Sequence, residues 1–268
     1  MDRRFRNLLF GSTAATLVLM LVGLYTAFVG AGLTCERRWP FCDGWLGLFP
    51  ANWTSFVEWS HRLLAMLVGF ALLATLYLVW REQDDRRVKW AVTAAVALLP
   101  SQIILGALTV TEFTAVITAA HFVTASLIIL CLTAACAWAV ETPSVETLRT
   151  LVIAAIALVP LHLVLDGSLV VMPLWALVGF YAVSFLLSCG LAAGALWAHA
   201  HGLGRTRSLL AVGSTVTWLD MLVARRKFGL DQALTDVGAI VVLLALLAVV
   251  WTLSKHSTVG GLSGVRAD

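Results

Sequence analysis

The chain has 268 residues, of which 60% are hydrophobic and only 12% charged. A water-soluble domain of that length has to cover itself in charge, which this composition excludes, and a formal net charge of +3 carries no argument for nucleic acid as a partner. What is left is an integral membrane protein, whose apolar runs of about 17–25 residues match a helix crossing the bilayer rather than the ~10-residue alternation of a β-barrel.

Eight apolar segments follow in chain order, at residues 8–31, 57–80, 90–111, 115–140, 150–172, 174–198, 208–224 and 237–253. The expected fold class is therefore all-α, a polytopic membrane protein of about eight transmembrane helices in two four-helix-bundle halves. The first segment is long enough to span and lacks a small-residue cleavage site, so no removable leader is expected. Arg3, Arg4 and Arg6, then Arg81, Arg86, Arg87 and Lys89, then Arg149, then Arg205 and Arg207 all fall on one side. The positive-inside rule makes that side the cytoplasm, so the expectation is a multi-pass protein of the cell membrane with its N-terminus inside and its first loop outside. Arg225, Arg226 and Lys227 depart from this pattern if segment 208–224 spans. That segment is short and carries Asp220; if it does not span, the C-terminus moves outside.

A polar linker at 141–149, containing Pro143, divides the chain into 1–140 and 141–268. Each half offers four segments, as an old duplication would. Only the first half has a long outer loop, 32–56, so the chemistry is expected there.

His61 lies about five residues into the second segment and His121 about six into the fourth. At ~1.5 Å per residue, both imidazoles sit within about 10 Å of the outer edge. Two histidines facing each other in a bundle can supply both axial ligands of a heme iron, whereas either one alone reads more simply as hydrogen-bonded to a neighbouring helix. Glu58 precedes His61 by one helical turn on the same face. It can serve the site's rim or simply favour the helix start. Arg62 can meet a heme propionate, pair with Glu58 or snorkel outward. Gln102 and Gly106 bring an amide and a gap to the third segment, where glycine allows close approach by a flat ligand or by another helix. Cys35 and Cys42 bracket part of the outer loop and read either as a bridge or as an exchange pair for a redox partner. In the second half, His162 and Asp166 are spaced to pair with each other, and no two histidines share an outer depth.

Together these stretches resemble the heme A synthase family: 30–35 (GAGLTC), 39–44 (WPFCDG), 58–62 (EWSHR), Gln102 to Gly106 with Thr109, and His121 with Ala125. The resemblance covers about the first 140 residues; the family's second histidine pair has no counterpart in 141–268, which reads as a degenerate half. It implies an oxidoreductase that converts the C8 methyl of heme O to the formyl of heme A for terminal oxidases. His61 and His121 would flank the heme iron, Glu58 would be the catalytic carboxylate, and Cys35 and Cys42 the loop pair. The implied cofactors are heme O or heme B with iron. The implied partners are the heme O substrate, the lipid bilayer, and heme O synthase or terminal-oxidase assembly proteins. Two alternatives stand beside it: a bis-histidine membrane cytochrome, and a non-catalytic heme-handling assembly protein.

Overall fold

The computed structural model describes residues 3–35, 38–47, 50–165, 173–224 and 232–263, with side chains omitted for 232–236 and 255–263. The chain separates into two compact units, Met1–Ala139 and Val140–Asp268.

In unit 1, α1 (Arg3–Phe28) leads through a single 3-10 turn (Ala31–Leu33) and a long loop into α2 (Trp53–Glu82). Then come α3 (Arg86–Ala97), α4 (Leu99–Thr111) and α5 (Ala115–Trp138). Helix starts follow local chemistry: Asn52, Asp85 and Thr114 each accept a backbone N–H of the first turn, at Ser55, Arg87 and Ile117. α1 ends where Gly30 takes a left-handed φ of 69°, a conformation open to glycine at no steric cost. α3 and α4 are one span interrupted at Leu98. Pro100 has no N–H to give the carbonyl of Val96, and its ring crowds that turn.

α1 packs on α2, α2 on α3, α3 and α4 on α5, and α5 on α1, closing a four-sided bundle. Phe5, Leu9, Leu72, Val79, Val92 and Leu132 fill its core, and a Ser12–Thr75 hydrogen bond of 3.0 Å ties α1 to α2 inside it. Outward, Leu67, Phe70, Leu73 and Tyr77 on α2 are at least half exposed. In water such a face would be a liability, and in hydrocarbon it is the expected surface.

Unit 2 holds α6 (Val145–Leu165), α7 (Leu174–Ala200), α8 (Gly204–Ala224) and α9 (Gln232–Ser263). They pack in a ring, α6 on α7, α7 on α8, α8 on α9 and α9 on α6. Gly194 and Gly213 let α7 and α8 approach: a Cβ at either would meet a leucine methyl of the other helix at 3.3 and 3.2 Å.

Among the described residues, seven helical stretches are long and apolar enough to cross a membrane, counting α3 and α4 as one. The protein is a helical, multi-pass membrane protein. α8 is not among these seven because it is less apolar, and its polar side chains Ser214, Thr217 and Asp220 are buried within the unit. Arg225, Arg226 and Lys227 lie outside the described residues.

Candidate functional site

The site is anchored where the long loop joins α2. Asn52 caps the helix and orients Ser55, whose hydroxyl donates to Asp43 Oδ2 at 2.8 Å. Asp43 lies beside Cys42 in the loop, and Cys35 and Cys42 form a disulfide, both fully buried. Of the two readings open for these cysteines, the structure adopts the bridge.

One turn further, Glu58 is 4% exposed. Its Oε1 accepts from Arg62 Nε at 2.7 Å, and its Oε2 lies 3.9 Å from where a Cβ on Gly32 would be. Arg62 Nη1 donates to the carbonyls of Arg38 (3.0 Å), Pro40 (3.2 Å) and Phe41 (2.8 Å). The guanidinium therefore does not snorkel, and its Nη2 is buried without a hydrogen-bond partner among the described residues. It ties the loop backbone to the Glu58 carboxylate, a charge-assisted arrangement with planar geometry suited to arginine.

His61 lies against α1. A Cβ on Gly23 would be 2.8 Å from its Cε1 and 3.5 Å from each ring nitrogen. His61 Nδ1 is buried with no hydrogen-bond partner among the described residues. His121 has a comparable bed on α4: its Cε1 would meet a Gly106 Cβ at 3.3 Å, and its Nε2 lies 3.3 Å from Gln102 Nε2. The structure thus gathers the predicted residues into two sets. Glu58, His61 and Arg62 sit with the bridged loop, and His121 sits with Gln102 and Gly106.

These donors suit an iron porphyrin. Each imidazole lies directly against a glycine, with no side chain between ring and helix, and neutral imidazole nitrogens are the expected axial ligands. Among the described residues no three His, Cys, Asp or Glu side chains are arranged to hold a metal ion, as a structural zinc site would need.

In unit 2, His162 has partners on two neighbouring helices. The partner expected for it, Asp166, lies outside the described residues. His162 Nε2 meets Asp220 Oδ2 on α8 at 2.7 Å, and its Nδ1 lies 3.0 Å from Ser184 Oγ on α7. His162 and Asp220 are 3% and 5% exposed, and Phe180 covers the imidazole at 4.7 Å between ring centroids. Sequence reasoning missed Asp220 as this partner; its charge inside an apolar segment was the available signal. It also missed Gly23, for which no signal exists beyond a glycine in an apolar helix. His199 and His201 are exposed but engaged, His199 with Arg207 and His201 with the Pro143 carbonyl.

Residues 48–264 match the family model described as COX15-CtaA, cytochrome oxidase assembly protein. The chain is similar to a protoheme IX farnesyltransferase of Halobacterium salinarum, 40% identical over 92 residues, or 34% of this chain and 20% of that protein. It is also similar to two proteins named heme A synthase. That of Bacillus licheniformis is 33% identical over 125 residues, 46% of this chain and 41% of the relative. That of Bacillus pumilus is 34% identical over 115 residues, 41% and 37% respectively. The chain therefore spans less than half the length of each of these relatives.

Proposed function

The chain belongs to the COX15-CtaA family of cytochrome oxidase assembly proteins, and from that membership we propose that it is a heme A synthase, oxidising the C8 methyl of heme O to a formyl group. His61 and His121 are the residues that would hold the iron, and the porphyrin would supply the path by which four electrons leave the methyl for an external acceptor, while one water supplies the formyl oxygen and four protons are released in all. Gly23 and Gly106 let the two imidazoles lie directly against their helices. Glu58 takes a proton from the methyl or stabilises the positive charge that develops there. Arg62 holds that carboxylate at the rim and closes the loop over it. The first loop faces outward, and the farnesyl tail of heme O lies along the lipid-facing side. The similarity to a protoheme IX farnesyltransferase supports heme O synthase as the partner that supplies substrate, with terminal-oxidase assembly proteins receiving the product.

The observation that carries this reading is the buried Glu58 carboxylate one turn from His61. A buried carboxylate is costly and persists where it has a partner and a task, and a cytochrome that only transfers electrons needs none beside its ligand. The test is to express the chain with a heme O supply and identify the extracted hemes by mass. Wild type should yield formylated heme, and Glu58→Gln should bind heme without completing the oxidation. Wild-type amounts of formyl product from Glu58→Gln would remove Glu58 from the mechanism. Unmodified heme alone from fully loaded wild type, given an acceptor, would favour the cytochrome or assembly reading.

A further inference from the structure

Gln102 and His121 touch through the ring nitrogen that an iron would use. Gln102 and Gly106 lie one turn apart on the same face of α4, and the His121 imidazole lies along that face. Its Cε1 is over Gly106, and its Nε2, the nitrogen farther from the backbone, is 3.3 Å from the Gln102 amide nitrogen. The other end of the carboxamide, Oε1, is buried and has no hydrogen-bond partner among the described residues. Swapping the amide's ends changes which group donates and leaves the same nitrogen occupied.

We propose that Gln102 is an exchange latch: it satisfies His121 Nε2 while no iron is bound and gives way when a heme ligates, so that substrate can enter and product can leave. The inference rests on the reading of His121 as an axial ligand. A resident prosthetic group is best served by an uncontested ligand, because nothing should favour its loss. A heme that is the substrate must depart once oxidised, and a buried ligand nitrogen left bare would penalise that departure. A hydrogen bond waiting for the nitrogen removes the penalty, shifting the ligation equilibrium toward release by roughly 5- to 150-fold. Gln102 is then a positioning residue for exchange and takes no part in the oxidation itself.

The experiment uses the full chain in detergent, loaded with heme B and scored for a low-spin spectrum that requires His121. Excess apomyoglobin then captures released heme, and the transfer rate is measured for wild type, Gln102→Leu and Gln102→Met. The methionine variant keeps a long unbranched side chain, so that poor folding of the leucine variant does not decide the outcome. Both should keep the low-spin spectrum and release heme more slowly than wild type, by roughly fivefold or more. A merely structural role predicts the opposite sign, because loosened packing speeds release. Transfer at the wild-type rate or faster, with the low-spin spectrum intact, would overturn the latch. Absence of any His121-dependent low-spin spectrum in wild type would overturn the ligand reading, and the latch with it.

Discussion

Gly23 on α1 and His61 on α2 meet so closely that a single added methyl would stand 2.8 Å from the imidazole Cε1. Carbon atoms in ordinary contact sit ~3.5–4.0 Å apart, so the ring would have to turn or the helices part. The glycine therefore fixes where the His61 ring lies. Gly23→Ala should leave the bundle folded and weaken His61-dependent heme binding by about tenfold or more. Gly11, on the same helix, has nothing within 4 Å of a built Cβ, so Gly11→Ala is the matched control. Equal heme spectra and affinities for the two variants would show that the contact does not set the site.

The Glu58–Arg62 pair makes a distinct prediction. Both side chains are largely buried, 6% and 13% exposed, and removing one partner of a buried pair typically costs ~3–5 kcal/mol. Arg62→Leu should approach that loss in unfolding measurements. Arg62→Lys should fall between it and wild type, because an ammonium restores charge but cannot serve Glu58 and three carbonyls at once. Glu58→Gln combined with Arg62→Leu should cost less than the sum of the single changes. Strict additivity would mean that the two residues act independently.

His162 and Asp220 give the corresponding test in unit 2. Asp220→Leu or His162→Leu should each destabilise by ~3–5 kcal/mol, and the double leucine variant should recover part of the loss, since an apolar pair can replace a buried polar one. Both ring nitrogens of His162 already have partners, so His162→Leu should not change the heme content of folded protein. One heme per chain by pyridine hemochrome, before and after the substitution, is the expected result. Two in wild type and one in the variant would make His162 a ligand.

Asp85 supplies a pH dependence at the turn between α2 and α3. Its carboxylate accepts from the Arg87 guanidinium at 2.7 Å and from the Arg87 backbone N–H at 2.8 Å. The guanidinium bond, aided by the backbone one, holds its carboxyl below the usual aspartate range. A group whose folded value is depressed stabilises the fold above its unfolded value, about pH 4, and that contribution is lost as pH falls through the folded value. Asp85→Ala should cost ~0.5–1 kcal/mol at neutral pH, as losses of helix caps do. The melting-temperature gap between wild type and Asp85→Asn should shrink on acidification below about pH 4. A gap that widens in acid would contradict the assignment.

The helices were readable in the sequence because a bilayer demands apolar runs of fixed length, and α1, α2, α5 and α7 have them without ambiguity. α8 was harder because its polar residues face inward, which lowers its apolarity without stopping it forming a helix. Glu58, His61, Arg62 and the cysteine pair drew attention through their spacing and their cost in a membrane. Their contacts did not show. The destination of Arg62 is a set of loop carbonyls, and carbonyls belong to every residue. The bed of His61 is the absence of a side chain at Gly23. Asp220 lies 58 positions from His162, beyond the reach of any helical period, so only the packing of α6 against its neighbours could reveal the pair.

The interruption at Leu98 has a consequence for the membranes in which this protein can work. It divides the third span into rods of 12 and 13 residues, and only the second, α4, carries Gln102 and Gly106. Bilayers differ in thickness by several Å, and a span answers mismatch by tilting or bending. An unbroken rod would tilt as a whole and drag the wall beside His121 with it. A span interrupted at Leu98 has a point at which it can bend, so that α3 and α4 need not tilt as one rod. The His121 contacts with Gln102 and Gly106 depend on α4 and not on α3, so bending at that point uncouples them from the tilt of α3 as bilayer thickness changes.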